Sequence, residues 1–171
     1  GVTQASCTQP AGYVSDDTDC DDTSGTAADT FPGAAPDDSP TACMKDVDGD
    51  DYGDAAPPVG VTAGTDCDDG DAGINPDTVW YADTDGDGFG DPGVTQASCT
   101  QPAGYVLDNT DCDDTSGTAA DTFPGAAPND SATACMKDVD GDDYGDATPP
   151  AGVTPGTDCD DADRKSTRLN S

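Results

Sequence analysis

Apolar residues in this chain never line up as the stripe of an amphipathic helix. No segment sustains a 3.6-residue period, and glycine or proline interrupts most windows of about ten residues. The pattern predicts little or no helix. Where apolar side chains do cluster they are β-branched or aromatic, as in Thr78-Val79-Trp80-Tyr81, which reads as a short strand. Elsewhere a single apolar anchor sits in a turn: Phe31-Pro32-Gly33 closes the Thr-, Ala-, Gly- and Pro-rich stretch 23–36, read as a loop lying over the repeat. Trp80 is expected to pack under its strand, and Tyr13, Tyr52, Tyr81, Tyr105 and Tyr144 to anchor small cores.

The polar positions are far more regular. In the stretch 83–91, carboxylates fall on alternate residues and glycine fills most gaps, giving Asp83, Asp85, Asp87 and Asp91 at positions 1, 3, 5 and 9 of an EF-hand-type loop. The backbone carbonyl of Phe89 takes position 7. The same loop recurs as Asp46, Asp48, Asp50, Tyr52 and Asp54, and again as Asp138, Asp140, Asp142, Tyr144 and Asp146. Each is followed by an acidic box: Asp66-Cys67-Asp68-Asp69, Asp111-Cys112-Asp113-Asp114 and Asp158-Cys159-Asp160-Asp161. A further box, Asp19-Cys20-Asp21-Asp22, stands near the start of the chain.

These motifs belong to a larger repeat. Residues 1–71 align without a gap to 93–163 at an offset of 92, with eight differences. The units are expected at 1–42 (a partial repeat whose loop would precede residue 1, implying a longer parent), 43–79 (short), 80–134 (long) and 135–163 (short). Residues 164–171 break the register, resemble a translated sequencing adapter and are read as an artefact.

Charge changes this picture more than length does. Among 171 residues, 37 are acidic and 5 basic, giving a formal net charge of −32. Carboxylates about 4 Å apart repel by roughly 4 kcal/mol per pair at an effective dielectric near 20, so adjacent aspartates must be solvated, protonated or bridged by cations. The hydrophobic fraction of 32%, much of it alanine and cysteine, cannot build a large core and on its own would suggest disorder. Eight cysteines argue otherwise: an even count in a loop-rich chain reads as a disulfide framework formed in an oxidising, extracellular compartment. No apolar run has membrane length. The fold expected is small and irregular: an elongated, calcium-stabilised, disulfide-stapled repeat array of short β-strands and turns.

Calcium suits such a density of oxygen ligands, but the EF-hand match is partial. Position 12, where a bidentate glutamate belongs, falls on Pro57, Val94 and Pro149, and glycine at position 6 occurs only as Gly88, with Asp51 and Asp143 in the other loops. Each loop therefore needs oxygens from its following box, and the box at Asp19, Asp21 and Asp22 would complete a loop before residue 1. Zinc and copper are disfavoured because histidine is absent and the cysteines look committed to disulfides. In extended backbone a box can aim alternate side chains two ways, carboxylates to a metal and cysteine to a partner. Pairing each box with a segment before or beside its loop gives Cys7–Cys20, Cys43–Cys67, Cys99–Cys112 and Cys135–Cys159; the main rival joins Cys20 to Cys43 and Cys67 to Cys99.

The order D-x-D-G-D-G-[FY]-G-D, cysteine, P-A-G-Y-V, D-C-D-D, then I-N-P or F-P-G-A resembles the MopE-type metal-binding repeat of bacterial surface proteins. More distantly, it is similar to thrombospondin type 3 calcium repeats. The resemblance covers residues 1–163 and implies a secreted or cell-surface protein that binds metal. The sub-repeats with Cys43 and Cys135 depart from it by moving the first cysteine ahead of the loop.

Function classes narrow accordingly. Without histidine there is no Ser-His or Cys-His pair, and repetition of every candidate carboxylate argues for structure rather than catalysis. Lys45 and Lys137 adjoin aspartates and are read as charge balance. The expected role is an extracellular calcium-binding stalk or filament that self-associates, against a calcium-dependent adhesion module or a cation store. The charge argues against nucleic acid, and no membrane insertion is expected. The Thr-rich loops and the sequon Asn129-Asp130-Ser131 are candidate glycan sites, against the alternative of unmodified surface loops.

Overall fold

The computed structural model describes residues 10–162. Cys7 and the tail 164–171 lie outside the described residues. The fold is small and mostly non-helical, built from short antiparallel strands, turns and disulfides, and it divides into two compact units after Thr78. Among the described residues the only helical pieces are two single 3₁₀ turns, Ala27–Asp29 and Ala119–Asp121.

In the first unit, β1 (Thr30–Pro32) pairs antiparallel with β2 (Cys43–Lys45), Phe31 opposite Met44. Pro32 is the last residue of β1, and beyond it the Gly33 N–H donates to the Ala42 carbonyl at 2.9 Å. The core beneath is minute: Met44, Ala35, Thr30 and the carboxylate of Asp54 are the side chains fully withdrawn from water. Thr30 is tolerated there because its hydroxyl donates to the carbonyl of Thr26 at 2.8 Å. Burying one methionine contributes about 1.5–3 kcal/mol, so this core cannot hold the unit by itself. Close backbone approach does part of the work. A Cβ on Gly53 would meet Met44 Cε at 2.9 Å, and one on Gly64 would meet the Gly53 carbonyl oxygen at 2.1 Å. The segment leading to the box can therefore lie flat on the loop only because Gly64 has no side chain, and a Cβ on Gly53 would force the Met44 methyl to shift.

The second unit opens with β3 (Val79–Ala82), which lies where the β-branched and aromatic run predicts a strand. It is the centre of a three-stranded antiparallel sheet between β4 (Asp91–Ala97) and β5 (Tyr105–Val106). Trp80 is buried as expected, and its Nε1–H donates to the Ser98 carbonyl at 2.8 Å. Pairing shifts register between Tyr81 and Ala82, so that Ala82 faces Asp91 while Tyr81 faces Thr95. That bulge absorbs Pro92 and Gly93, the residues that hide β4 from a pattern search. Further on, β6 (Thr122–Pro124) and β7 (Cys135–Lys137) repeat the first unit's pair, with Phe123 opposite Met136. Phe123 also stacks on Phe89, ring centroids 5.3 Å apart. The pairs β1–β2 and β6–β7 run across the unit boundaries expected at 42/43 and 134/135.

All four expected disulfides are corrected. Cys20 bonds Cys43 and Cys112 bonds Cys135, which removes Cys7–Cys20, Cys43–Cys67 and Cys99–Cys112, and Cys159 is a free, exposed thiol, which removes Cys135–Cys159. Cys67 and Cys99 are also disulfide-bonded. The reason is the strand pairing. Cys20 and Cys112 each reach forward across the Thr-rich loop to the first residue of the strand that precedes the next aspartate loop, so each staples its box to the following loop rather than to its own.

Candidate metal centres

The local geometry of the three loops comes from the position-1 aspartate. Asp46 Oδ1 accepts the N–H of Gly49 at 2.7 Å and its Oδ2 that of Asp51 at 3.2 Å; Asp138 does the same for Gly141 and Asp143, and Asp83 accepts from Gly86. The position-5 carboxylates turn the chain again, accepting the N–H of Tyr52, Phe89 and Tyr144 at 2.8–2.9 Å. Position 6 has a left-handed backbone in every loop: φ is +94° at Gly88, +76° at Asp51 and +71° at Asp143. The absence of glycine from the short loops therefore does not change their path, because a short aspartate side chain tolerates this region.

Winding of this kind aims carboxylates inward. Oxygens of Asp46, Asp48 and Asp50 lie within 4.8 Å of one another, as do those of Asp138, Asp140 and Asp142, and those of Asp83, Asp85 and Asp114. Many of the inward oxygens are buried and accept no hydrogen bond: both of Asp48 and the Oδ2 atoms of Asp50, Asp85, Asp87, Asp111, Asp114 and Asp142. A buried carboxylate oxygen without a donor is costly, and several converging on one point form an oxygen-only cage suited to a hard cation. The protonation equilibria carry the same signature. Burial, then the neighbouring carboxylates Asp50, Asp66 and Asp46, push Asp48 above the usual carboxylate range; burial does the same to Asp85, Asp66, Asp111 and Asp140, and lifts Asp87 to about 6.

The boxes join the loops through their first residue. The N–H groups of Asp66, Asp111 and Asp158 donate to the carbonyls of Gly53, Gly90 and Gly145 at 3.0–3.2 Å. That contact buries Asp66, Asp111 and Asp158 against the loop carboxylates, where Asp66 repels Asp48, Asp111 repels Asp85 and Asp87, and Asp158 repels Asp140. The other box residues do not behave alike. Asp114 enters the long loop's cluster and accepts Thr84 N–H at 2.7 Å, whereas Asp69 is drawn off to the N–H of Ala55 at 2.9 Å. Asp68 and Asp160 are exposed, and Asp161 joins no cluster among the described residues. Asp113 and Asp21 close turns instead: a hydrogen bond from Ser116 holds Asp113 below the carboxylate range, and one from Ser24 does so for Asp21. Asp19 and Asp22 likewise form no cluster among the described residues.

Position 9 departs most from expectation. In the short loops, Asp54 and Asp146 are paired with the ammonium groups of Lys45 and Lys137. In the long loop Asp91 accepts the N–H of Gly93 at 2.7 Å and borders a cavity of about 330 Å³ shared with Asp111, Asp113 and Asp114.

One carboxylate carries no ligand spacing in the sequence. Asp38 Oδ2 accepts the N–H of Gly53 at 2.9 Å and of Thr65 at 2.8 Å, while its Oδ1 accepts the Thr65 hydroxyl. Burial pushes this group up, but the bonds from Thr65 and Gly53 outweigh it and leave Asp38 below its ordinary value. Asp130 clasps Gly145 and Thr157 identically. The only sequence signal is recurrence of this aspartate in both copies, within a loop that otherwise shows no metal-site pattern. Compared with family models, curated proteins and solved structures, the chain matches none.

Proposed function

We propose that this chain is an extracellular, calcium-binding structural repeat whose units become rigid when the loops are filled, forming a stalk or filament. The observation that carries the reading is the clustering of carboxylate oxygens in each of the three loops, with buried, hydrogen-bond-free oxygens on Asp48 and Asp50 in the first, on Asp85, Asp87 and Asp114 in the second and on Asp142 in the third. Calcium is the cation chosen because every inward donor is oxygen and because flexible, irregular cages suit it better than magnesium, which demands strict octahedral geometry. With so little apolar core, the binding energy of the ions becomes folding energy. The disulfides favour an oxidising compartment. Among the described residues, no helix is long and apolar enough to cross a membrane. The MopE-type resemblance points the same way.

The test is a calcium titration of the chelator-treated chain followed by near-ultraviolet circular dichroism and small-angle scattering. Millimolar calcium should bring a cooperative gain of fixed aromatic environment and a defined particle length. Spectra and scattering curves that do not change between chelator and calcium would overturn the reading.

A further inference from the structure

The three loops differ at one place that strand pairing makes equivalent. Lys45 stands opposite Asp54, whose N–H donates to the Lys45 carbonyl at 2.8 Å, and Lys137 stands in the same relation to Asp146. In the long loop the corresponding cross-strand partner of Asp91 is Ala82. The two short loops thus bring a tethered ammonium onto the position-9 carboxylate, and the long loop brings a methyl group.

The buried charge of the short loops is already matched, whereas Asp91 in the long loop is half-buried and unmatched by a base among the described residues. Asp54 and Asp146 are each only 2% exposed. Such a carboxylate requires a cation beside it, and in each case the lysine ammonium meets its Oδ2, although Asp54 keeps a buried Oδ1 that accepts no hydrogen bond. Asp91 has no basic partner among the described residues. Its neighbour across the cavity, Asp111, is 7% exposed with a buried Oδ2 that accepts no hydrogen bond. Asp114 lines the same cavity and is shared with the loop cluster.

We infer that Lys45 and Lys137 are built-in cations that take the place of a metal ion in the short loops, and that the long loop recruits an additional divalent cation between Asp91 and Asp111. The inference rests on the calcium reading above and deepens it: the two loop types differ in metal demand, and the residue facing position 9 decides which type a loop is. A lysine there supplies a fixed charge whatever the calcium concentration, whereas an alanine leaves that charge to the calcium around the protein.

Native mass spectrometry and equilibrium dialysis of the full chain with calcium alone test this. Ala82→Lys should lower the number of bound calcium ions by one relative to wild type, while Ala82→Met, similar in bulk but uncharged, should keep the wild-type count. Conversely, the double variant Lys45→Met/Lys137→Met should gain bound calcium, and its melting temperature should depend more steeply on calcium than that of wild type. If Ala82→Lys fails to fold, the double variant decides, and an unchanged count there overturns the inference. A wild-type chain that binds calcium with the same count in both charge variants overturns this inference alone. A wild-type chain that binds none overturns the calcium reading and this inference together.

Discussion

Asp51 and Asp143 show how much a single residue carries in a chain with almost no core. Both sit at positive φ inside their loops with exposed side chains, so their contribution is conformational. Asp51→Val should destabilise the first unit by about 1–2 kcal/mol, because a β-branched side chain resists this region, whereas Asp51→Gly should be tolerated; calcium-saturated thermal melts check both. Asp38 is a second such position. Asp38→Ala removes three hydrogen bonds to a charged acceptor and should cost about 2–3 kcal/mol, with Asp130→Ala behaving alike in its own unit. Protonation gives a third expectation. Asp87 is raised to about 6, and Asp48, Asp66, Asp85, Asp111 and Asp140 are raised too. In the metal-free chain the folded state therefore holds extra protons, a stabilisation complete below the unfolded carboxylate pKa and lost as pH rises through about 6. Asp38 and Asp113 shift downward and act oppositely, losing their stabilisation as pH falls below the ordinary carboxylate range. The metal-free chain should therefore be most stable near the ordinary carboxylate pKa of about 4 and lose stability as pH rises from there through about 6. With calcium the order reverses, and apparent affinity should fall from pH 7 to pH 5, because bound metal requires the deprotonated forms; calorimetry at several pH values measures both.

At the scale of elements, the loops were legible and their staples were not. Alternating carboxylates and glycines specify the winding of a candidate metal loop locally, since position 1 accepts hydrogen bonds from residues only three to five ahead. Trp80 in its β-branched run likewise announces β3. Cysteine partners depend on which strands pair, and β1 and β6 each end in proline while β2 and β7 are only three residues long, too short for a period to show. Disulfide mapping by proteolysis and mass spectrometry should find Cys20–Cys43 and Cys112–Cys135, with Cys159 alkylated under non-reducing conditions. Each bridge closes a sequence separation of 23 residues. Cys20→Ser/Cys43→Ser should therefore cost the first unit about 3 kcal/mol in the chain-entropy treatment, a loss that a unit with one buried methionine is poorly placed to absorb.

For the whole molecule, the strongest force to be countered is the self-repulsion of a net charge of −32 held by small cores and cross-links. Monovalent salt screens exposed charge but does not replace an ion inside a cage of buried oxygens. The metal-free chain should therefore gain little order from sodium chloride at about 150 mM, while calcium at far lower ionic strength restores near-ultraviolet dichroism. Cooperative loss of order on chelation, with the disulfides intact, would make metal rather than cross-linking the larger contribution to the native state.

Sequence alone determined the chemistry of the candidate sites, because a hard-cation loop is written in residues that are neighbours: the spacing of Asp83, Asp85 and Asp87, and the repetition of that spacing, need no knowledge of distant contacts. It also made the fold class legible, since a chain this poor in periodic apolar residues builds neither long helices nor a large core, and its cysteines argue for a stapled fold over disorder. Tertiary structure decided what lies across from each loop. It brought the first aspartate of each of the three later boxes onto its loop, sent Asp114 inward and Asp69 away, set Lys45 and Lys137 against Asp54 and Asp146, and chose Cys43 over Cys7 for Cys20. These outcomes depend on backbone pairing between segments far apart in the chain, where glycines such as Gly53 and Gly64 permit contact that no local pattern records.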